Sequence, residues 1–379
     1  MTVKKIYYWS PHIDNVATIR AVLNSAISLN KYGNNKYDVC IINANGEWDN
    51  FKSEKVNFIN LFNSIYFNTF PKNGFIWSRI SYLYIFIRYF FSLKKLIEHE
   101  KPDYLIIHLI TSLPLILLIL FNFKTRFILR VSGLPKLNFA RKWLWKIASK
   151  KLYLITTPTK TTLNYLKNIY LIDKKKIVLL TDPVFRIREI VNLKKEKLDE
   201  NFHLDNKYII SIGRLTYQKN FNLLIESFYQ IKQKYNDYKL IIVGDGEKRE
   251  ELELLIDKLN LKPEVFLVGF KKNIFPYLKI ADCLISSSRW EDPGFALIEA
   301  GILNKIIISS DCMSGPRELL NDYNGYLFNN ENRDSLIHQF ANYKKNSYEN
   351  NQIKKIVTKN KFKQYSIYSH FLQIQNLLK

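Results

Sequence analysis

Only three cysteines occur in 379 residues, Cys40, Cys283 and Cys312, and no spacing pairs them. That excludes a disulfide framework and a cysteine zinc site, and it fits a reducing compartment. The opening residues, MTVKKIYYWS, run straight into a strand-like segment and lack the apolar core and cleavage site of a secretory signal. There is no internal repeat and no low-complexity tract, and no carboxylate pair is placed like a metal site. No residue is therefore expected to hold a metal. Acidic residues are missing from a long interval: none stands between Asp103 and Asp173, where eleven Lys and Arg residues occur. One long apolar stretch, residues 104–121, is of roughly membrane-spanning length. His108 and Pro114 interrupt it, so it reads as a buried strand, a loop and a buried helix.

What is present points to two globular domains. The length suits about two domains, and a hydrophobic content of 47% suffices for proper cores. The net charge of +23 is uneven: residues 1–200 carry 32 basic and 14 acidic side chains, and residues 201–379 carry 25 and 20. Such one-sidedness implies an anionic partner, either nucleic acid or a membrane. No nucleic-acid module is recognisable. Residues 75–98 and 138–151 instead mix aromatics with cations, Trp143 and Trp145 standing among five of them. That is the composition of helices lying at a membrane interface. A cytoplasmic protein, peripheral on the inner face of the cytoplasmic membrane, is the expectation.

Short apolar runs alternate with helical patterns along the chain, which predicts parallel doubly wound sheets. The expected boundaries are a first domain over 1–200 and a second over 201–364, with the charged stretch 186–206 as linker. The densest signal lies in residues 281–320: strand, loop, helix, strand, then a Gly-Pro turn into another helix. Glu291 and Glu299 stand eight apart around a Pro-Gly turn. A loop entering a helix offers backbone N–H groups to a diphosphate. Ionised carboxylates beside it accept from sugar hydroxyls. Together they suit a nucleotide-sugar.

The segment resembles the Glu-x7-Glu signature of retaining glycosyltransferases of family four, of the bacterial surface-polysaccharide type. Three further motifs of that family stand upstream in its order: residues 208–228 with Gly213, Arg214 and Lys219, residues 239–253 with Gly244 and Gly246, and residues 265–270 ending in Gly269 and Phe270. The resemblance implies an α/β architecture, the GT-B fold: two doubly wound, Rossmann-like domains with a cleft between them. It also implies that residues 365–379 pack back on the first domain. The implied activity is transfer of a sugar from a nucleoside diphosphate, of UDP or GDP type, to a hydroxyl of a lipid-linked, lipopolysaccharide or capsule glycan, with retention and without a cofactor.

The same resemblance assigns roles. Arg214 and Lys219 would hold the diphosphate, beside Gly213. Glu291 would accept from donor-sugar hydroxyls and Glu299 from the ribose. Gly294, Phe295, Ala296 and Leu297 would present backbone to phosphate and sugar, and Gly269 and Phe270 would lie near the base. Glu291, Arg214 and Lys219 are the expected catalytic groups. The first domain departs from the family: no glycine pair follows its first strand, and Ser132 and Gly133 stand where many members have histidine. His12, Asp14, Thr18, His108 and Arg130 are the acceptor-side candidates. An epimerase-type GT-B enzyme and an inactive homologue are the competing readings.

Overall fold

The computed structural model describes residues 3–12, 17–51, 55–61, 75–135, 137–169, 172–198, 202 and 206–379, with backbone alone for 75–79. It divides into two compact units, residues 1–184 with 367–379, and residues 185–366.

In the first unit, among the described residues, seven strands run parallel: β1 (Lys4–Trp9), β2 (Tyr37–Asn43), β3 (Asn57–Asn60), β4 (Tyr104–Ile107), β5 (Arg126–Arg130), β6 (Leu154–Thr157) and β7 (Ile177–Leu179). Their order is β3-β2-β1-β4-β5-β6-β7. Parallel strands need crossover helices, so both faces are covered and most strands read as unbroken apolar runs. Successive residues still divide between two cores. Ile6, Tyr8 and Ile106 face α1 (Ala17–Tyr32) through Ile19, Val22 and Ala26. Tyr7, Trp9 and Leu105 face α2 (Phe75–Glu100), α3 (Ser112–Leu120) and α4 (Phe139–Lys151), which contribute Tyr89, Leu117 and Trp145. The stretch 104–121 is thus strand, loop and helix, and no helix among the described residues is long and apolar enough to cross a membrane. After α4, α5 (Lys160–Asn168) starts at Thr159, whose hydroxyl accepts from Thr162 N.

The second unit repeats the plan. It opens with α6 (Ile187–Leu193), inside the stretch expected to be linker. The Leu193 carbonyl accepts from Asn273 Nδ2 at 2.8 Å, which ties that segment to the second unit. The second compact unit thus begins at residue 185. Strands β8 (Lys207–Ile212), β9 (Tyr238–Val243), β10 (Val265–Leu267), β11 (Cys283–Ser286), β12 (Ile306–Ser310) and β13 (Tyr326–Phe328) are parallel in the order β10-β9-β8-β11-β12-β13. Between and after them run α7 (Phe221–Lys234), α8 (Arg249–Lys258), α9 (Phe275–Ile280), α10 (Phe295–Ile302), α11 (Gly315–Leu319), α12 (Arg333–Lys345) and α13 (Tyr348–Phe362). Gly301 lets α10 close on α13, because a Cβ there would meet Phe362 Cδ2 at 2.5 Å.

The last helix, α14 (Ile367–Leu377), belongs to the first unit, where Phe371 and Ile374 join the α1 face of the core. His370 fixes its register: Nε2 meets Ser25 Oγ at 2.8 Å and Nδ1 meets the Thr181 carbonyl at 2.7 Å. Ile374→Ala is expected to destabilise the first unit by about 2–4 kcal/mol, through lost burial and the cavity left behind. Chemical denaturation followed by a first-unit probe checks this.

Candidate active site

Each sheet reverses its strand order once, and ligands bind open α/β sheets at that point, beyond the carboxyl ends of the strands. In the second unit the reversal lies between β8 and β11. Gly213, Arg214 and Lys219 follow β8, and Ser287 to Glu291 follow β11. The two loops are tied together by hydrogen bonds. Arg289 N donates to the Gln218 carbonyl and Gln218 Nε2 to the Trp290 carbonyl, both at 2.8 Å. The Arg289 guanidinium lies 3.9 Å over the Tyr217 ring and pairs with Glu331 at 2.6 Å.

That closure brings Lys219 Nζ onto Glu291 Oε1 as an ion pair, although 72 positions separate them. Both side chains are largely buried. Ser288 Oγ donates to the same carboxylate oxygen at 2.6 Å, and Ser310 Oγ holds the Ser288 carbonyl at 2.5 Å. Glycines allow the close approach. A Cβ on Gly213 would sit 2.7 Å from Lys219 Cε, so the bare backbone gives the lysine stem its path. A Cβ on Gly244 would meet the Gly213 carbonyl oxygen at 1.8 Å. Gly244 N also donates to the Gly269 carbonyl at 2.9 Å, so Gly244 shapes the backbone around the β8 end.

Gly294 caps α10 with φ +98, a left-handed conformation that disfavours any side chain. Its Cα packs beside Glu291, where a Cβ would lie 3.6 Å from that residue's own Cβ. Phe295 and Ala296 are half-buried in the first turn of α10, where backbone N–H groups have no intrahelical carbonyl. Leu297 and Glu299 are buried on the same helix. Arg214 is exposed and, among the described residues, its guanidinium has no hydrogen-bond or ion-pair partner. Phe270 is exposed beside Gly269, whose φ is +75 and whose Cβ would lie 4.0 Å from Arg249 Nη1. The arrangement offers a cation at the β8 end, a paired lysine and carboxylate, and a helix start. That combination can neutralise a diphosphate and accept from hydroxyls.

In the first unit the reversal lies between β1 and β4. His108 N donates to the Trp9 carbonyl at 2.9 Å across it. His12 packs edge-on against Trp48 at 4.9 Å. Burial lowers the His12 pKa to about 4, against opposing hydrogen bonds to the main chain at Ser10 and Glu47. Burial, with the Arg130 charge adding to it, holds His108 well below its ordinary value. Both imidazoles are therefore neutral at pH 7. Thr18 is half-buried in the first turn of α1, and Asp14 lies outside the described residues. Arg130 is buried, paired with Asp182, and donates to the Leu180 carbonyl at 2.6 Å. Arg130, His108 and His370 line one small internal cavity of about 10 Å³. Arg130 is thus engaged within the first unit.

Comparison with known proteins identifies the second unit. Residues 193–360 match the family model for glycosyl transferases group 1. The second unit is a group 1 glycosyl transferase domain. An uncharacterised glycosyltransferase of Methanocaldococcus jannaschii is 35% identical over 274 residues, 68% of this chain and 66% of that protein. A Campylobacter jejuni enzyme is 30% identical over 227 residues, 58% of this chain and 60% of its own length. Its name is N-acetylgalactosamine-N,N'-diacetylbacillosaminyl-diphospho-undecaprenol 4-alpha-N-acetylgalactosaminyltransferase. The matches thus span less than two thirds of either relative. Anabaena HepE, crystallised with UDP and glucose, superposes with a TM-score of 0.74 at 13% identity over 99% of both chains. With that likeness the two doubly wound sheets constitute the GT-B fold.

Some groups around the candidate site have no sequence signal of their own. Ser288 and Ser310 look like ordinary strand-end serines, and Arg289 like a surface cation. Only the run of three serines before Arg289, at a strand end, marks the place. In the first unit Glu47 is equally unannounced. It is buried, accepts from Ala44 N and Asn45 N, and burial pushes its pKa up to about 7. Lys219→Ala is expected to lower the stability of the glycosyl transferase domain by about 1–3 kcal/mol, because Glu291 is left buried without its counter-charge. Lys219→Ala combined with Glu291→Ala is expected to cost less than the sum of the two. A double-mutant cycle in urea measures the coupling, and strict additivity would contradict the pair.

Proposed function

We propose that this chain transfers a sugar from a nucleoside diphosphate, of UDP or GDP type, to a hydroxyl of a lipid-linked or lipopolysaccharide-type glycan, with retention at the anomeric carbon. The observation that carries the reading is the Lys219–Glu291 pair at the strand reversal, flanked by Gly213, Gly294 and the exposed Arg214. The charge that grows during glycosyl transfer is on the leaving diphosphate, and cations preset at that point stabilise it most. Arg214 and Lys219 supply them. An arriving diphosphate competes with Glu291 for the Lys219 ammonium, which places the carboxylate beside the donor sugar to accept from its hydroxyls. The bond from the anomeric carbon to the phosphate oxygen breaks as the acceptor oxygen bonds on the same face. The acceptor proton passes to the departing phosphate oxygen.

The names of two similar proteins support the choice of ligands. The Campylobacter relative is named for transfer to a diphospho-undecaprenol-linked sugar, and the Anabaena structure holds UDP and glucose. A lipid-linked acceptor in turn favours a cytoplasmic protein working at the inner membrane face.

Thermal unfolding with UDP, GDP, ADP and CMP and their common sugars is expected to show a rise with UDP or GDP forms, since a native-state ligand stabilises by mass action. No rise with any of them in folded protein would remove the donor assignment. Glu291→Ala is expected to abolish transfer while largely keeping nucleotide binding. An inverted product anomer by NMR would rule out the retaining route. Donor conversion without any acceptor would instead favour an epimerase.

A further inference from the structure

The helix layer α2–α3–α4 covers one face of the first unit's sheet, and its inner and outer sides have opposite problems to solve. Inward, Ile85, Tyr89, Leu93, Leu117 and Trp145 fill the core. Outward, helices of a protein surrounded by water alone are normally polar. Here the outer side of α2 carries Ile80, Leu83, Ile87 and Phe91, all exposed, at spacings of three and four that line up on one face. Phe91 is 73% exposed. On α4 the two tryptophans separate: Trp145 is buried, while Trp143 is 61% and Phe139 86% exposed. Lys142, Lys146 and Lys150 fall on the same turn positions as Phe139 and Trp143, and α4 contains no acidic residue. Since the buried faces of α2 and α4 meet in one core, their outer faces both point away from the sheet.

Contiguous exposed aromatics and aliphatics mark an interaction surface. Lysines interleaved with them specify its charge. Aromatic rings with flanking cations match a lipid interface, where rings sit at headgroup depth and ammonium groups reach phosphate. We propose that the outer face of α2 and α4 docks the first unit onto an anionic lipid bilayer, with Ile87, Phe91, Phe139 and Trp143 entering the interface and Lys142 and Lys146 pairing with lipid phosphate. The proposal deepens the lipid-linked acceptor reading by naming the surface that brings the protein to that acceptor. Its evidence, the exposed side chains, is independent of the donor site.

Flotation of the full chain with vesicles tests it. One set is phosphatidylcholine; in the other, part of it is replaced by phosphatidylglycerol. Wild type is expected to float with the anionic set and to release as salt is raised. The pairs Ile87→Ser with Phe91→Ser, and Phe139→Ser with Trp143→Ser, are each expected to lower the binding constant about tenfold or more. Lys142→Gln with Lys146→Gln keeps every apolar group and tests charge alone. It is expected to weaken binding to anionic vesicles and to reduce the salt dependence. Leu254→Ser, an exposed apolar site on α8 of the second unit, is expected to leave binding unchanged. Variants that float like wild type would overturn the proposal, as would a wild type that ignores anionic vesicles. So would a wild-type dimer that ignores vesicles and that Ile87→Ser with Phe91→Ser dissociates, since the face would then meet a second copy. Nucleotide binding, measured separately, reports on the donor reading whichever way the vesicles decide.

Discussion

Among the described residues thirteen strands in two sheets all run parallel within their sheet, and that constraint organises everything else. Parallel neighbours cannot be joined by tight turns, so most strands are followed by a crossover that places a helix on a sheet face. All carboxyl ends of a sheet then lie on one edge. Where strand order reverses, adjacent crossovers leave in opposite directions and the edge opens. The site of the second unit occupies such a place between β8 and β11, and its residues arrive there from loops far apart in sequence.

At that edge close packing and charge cooperate. Lys219 reaches Glu291 because Gly213 leaves room for its stem, and Gly213 in turn lies against Gly244. Ser288 and Ser310 fix the carboxylate side. Two opposite charges held in a largely buried place interact far more strongly than on an open surface, provided their remaining hydrogen bonds are met. Arg214 differs: it is exposed and, among the described residues, unpartnered. One paired cation and one open cation at the same strand end create a field that favours a highly charged ligand. The same unit contains most of the stretch, residues 193–360, that matches the group 1 glycosyl transferase family model.

The first unit handles charge in another way. It holds neutral imidazoles at His12 and His108, a buried Arg130–Asp182 pair and a small internal cavity. Its strongly basic character appears instead on the outer side of α4, among exposed aromatics. The same basic composition thus has two fates: Arg130 is sealed inside with a partner, and the lysines of α4 face outward.

Element types, and the placing of the candidate residues at the β8 and β11 ends, were legible in the chain itself, because both are encoded locally. Unbroken apolar runs gave strands, 3.6-residue patterns gave helices, and the glycines, Arg214, Lys219 and Glu291 stand in short motifs. Weak or short elements were not legible. β3 has four residues at a sheet edge, and α6 is charged on one side, so neither carries enough apolar pattern to stand out. Trp143 and Trp145 are two apart among the same cations, yet a two-residue step turns a helix by about 200° and puts one outside and one in the core. The pairings Lys219–Glu291 and Arg130–Asp182 span 72 and 52 positions. Nothing local states such a partnership. The sequence by itself determined which segments become strands and helices and which residue types could meet a diphosphate. Only the packing of parallel strands decided which of them meet, because a contact between distant loops exists only once the sheet has brought their strand ends to one edge.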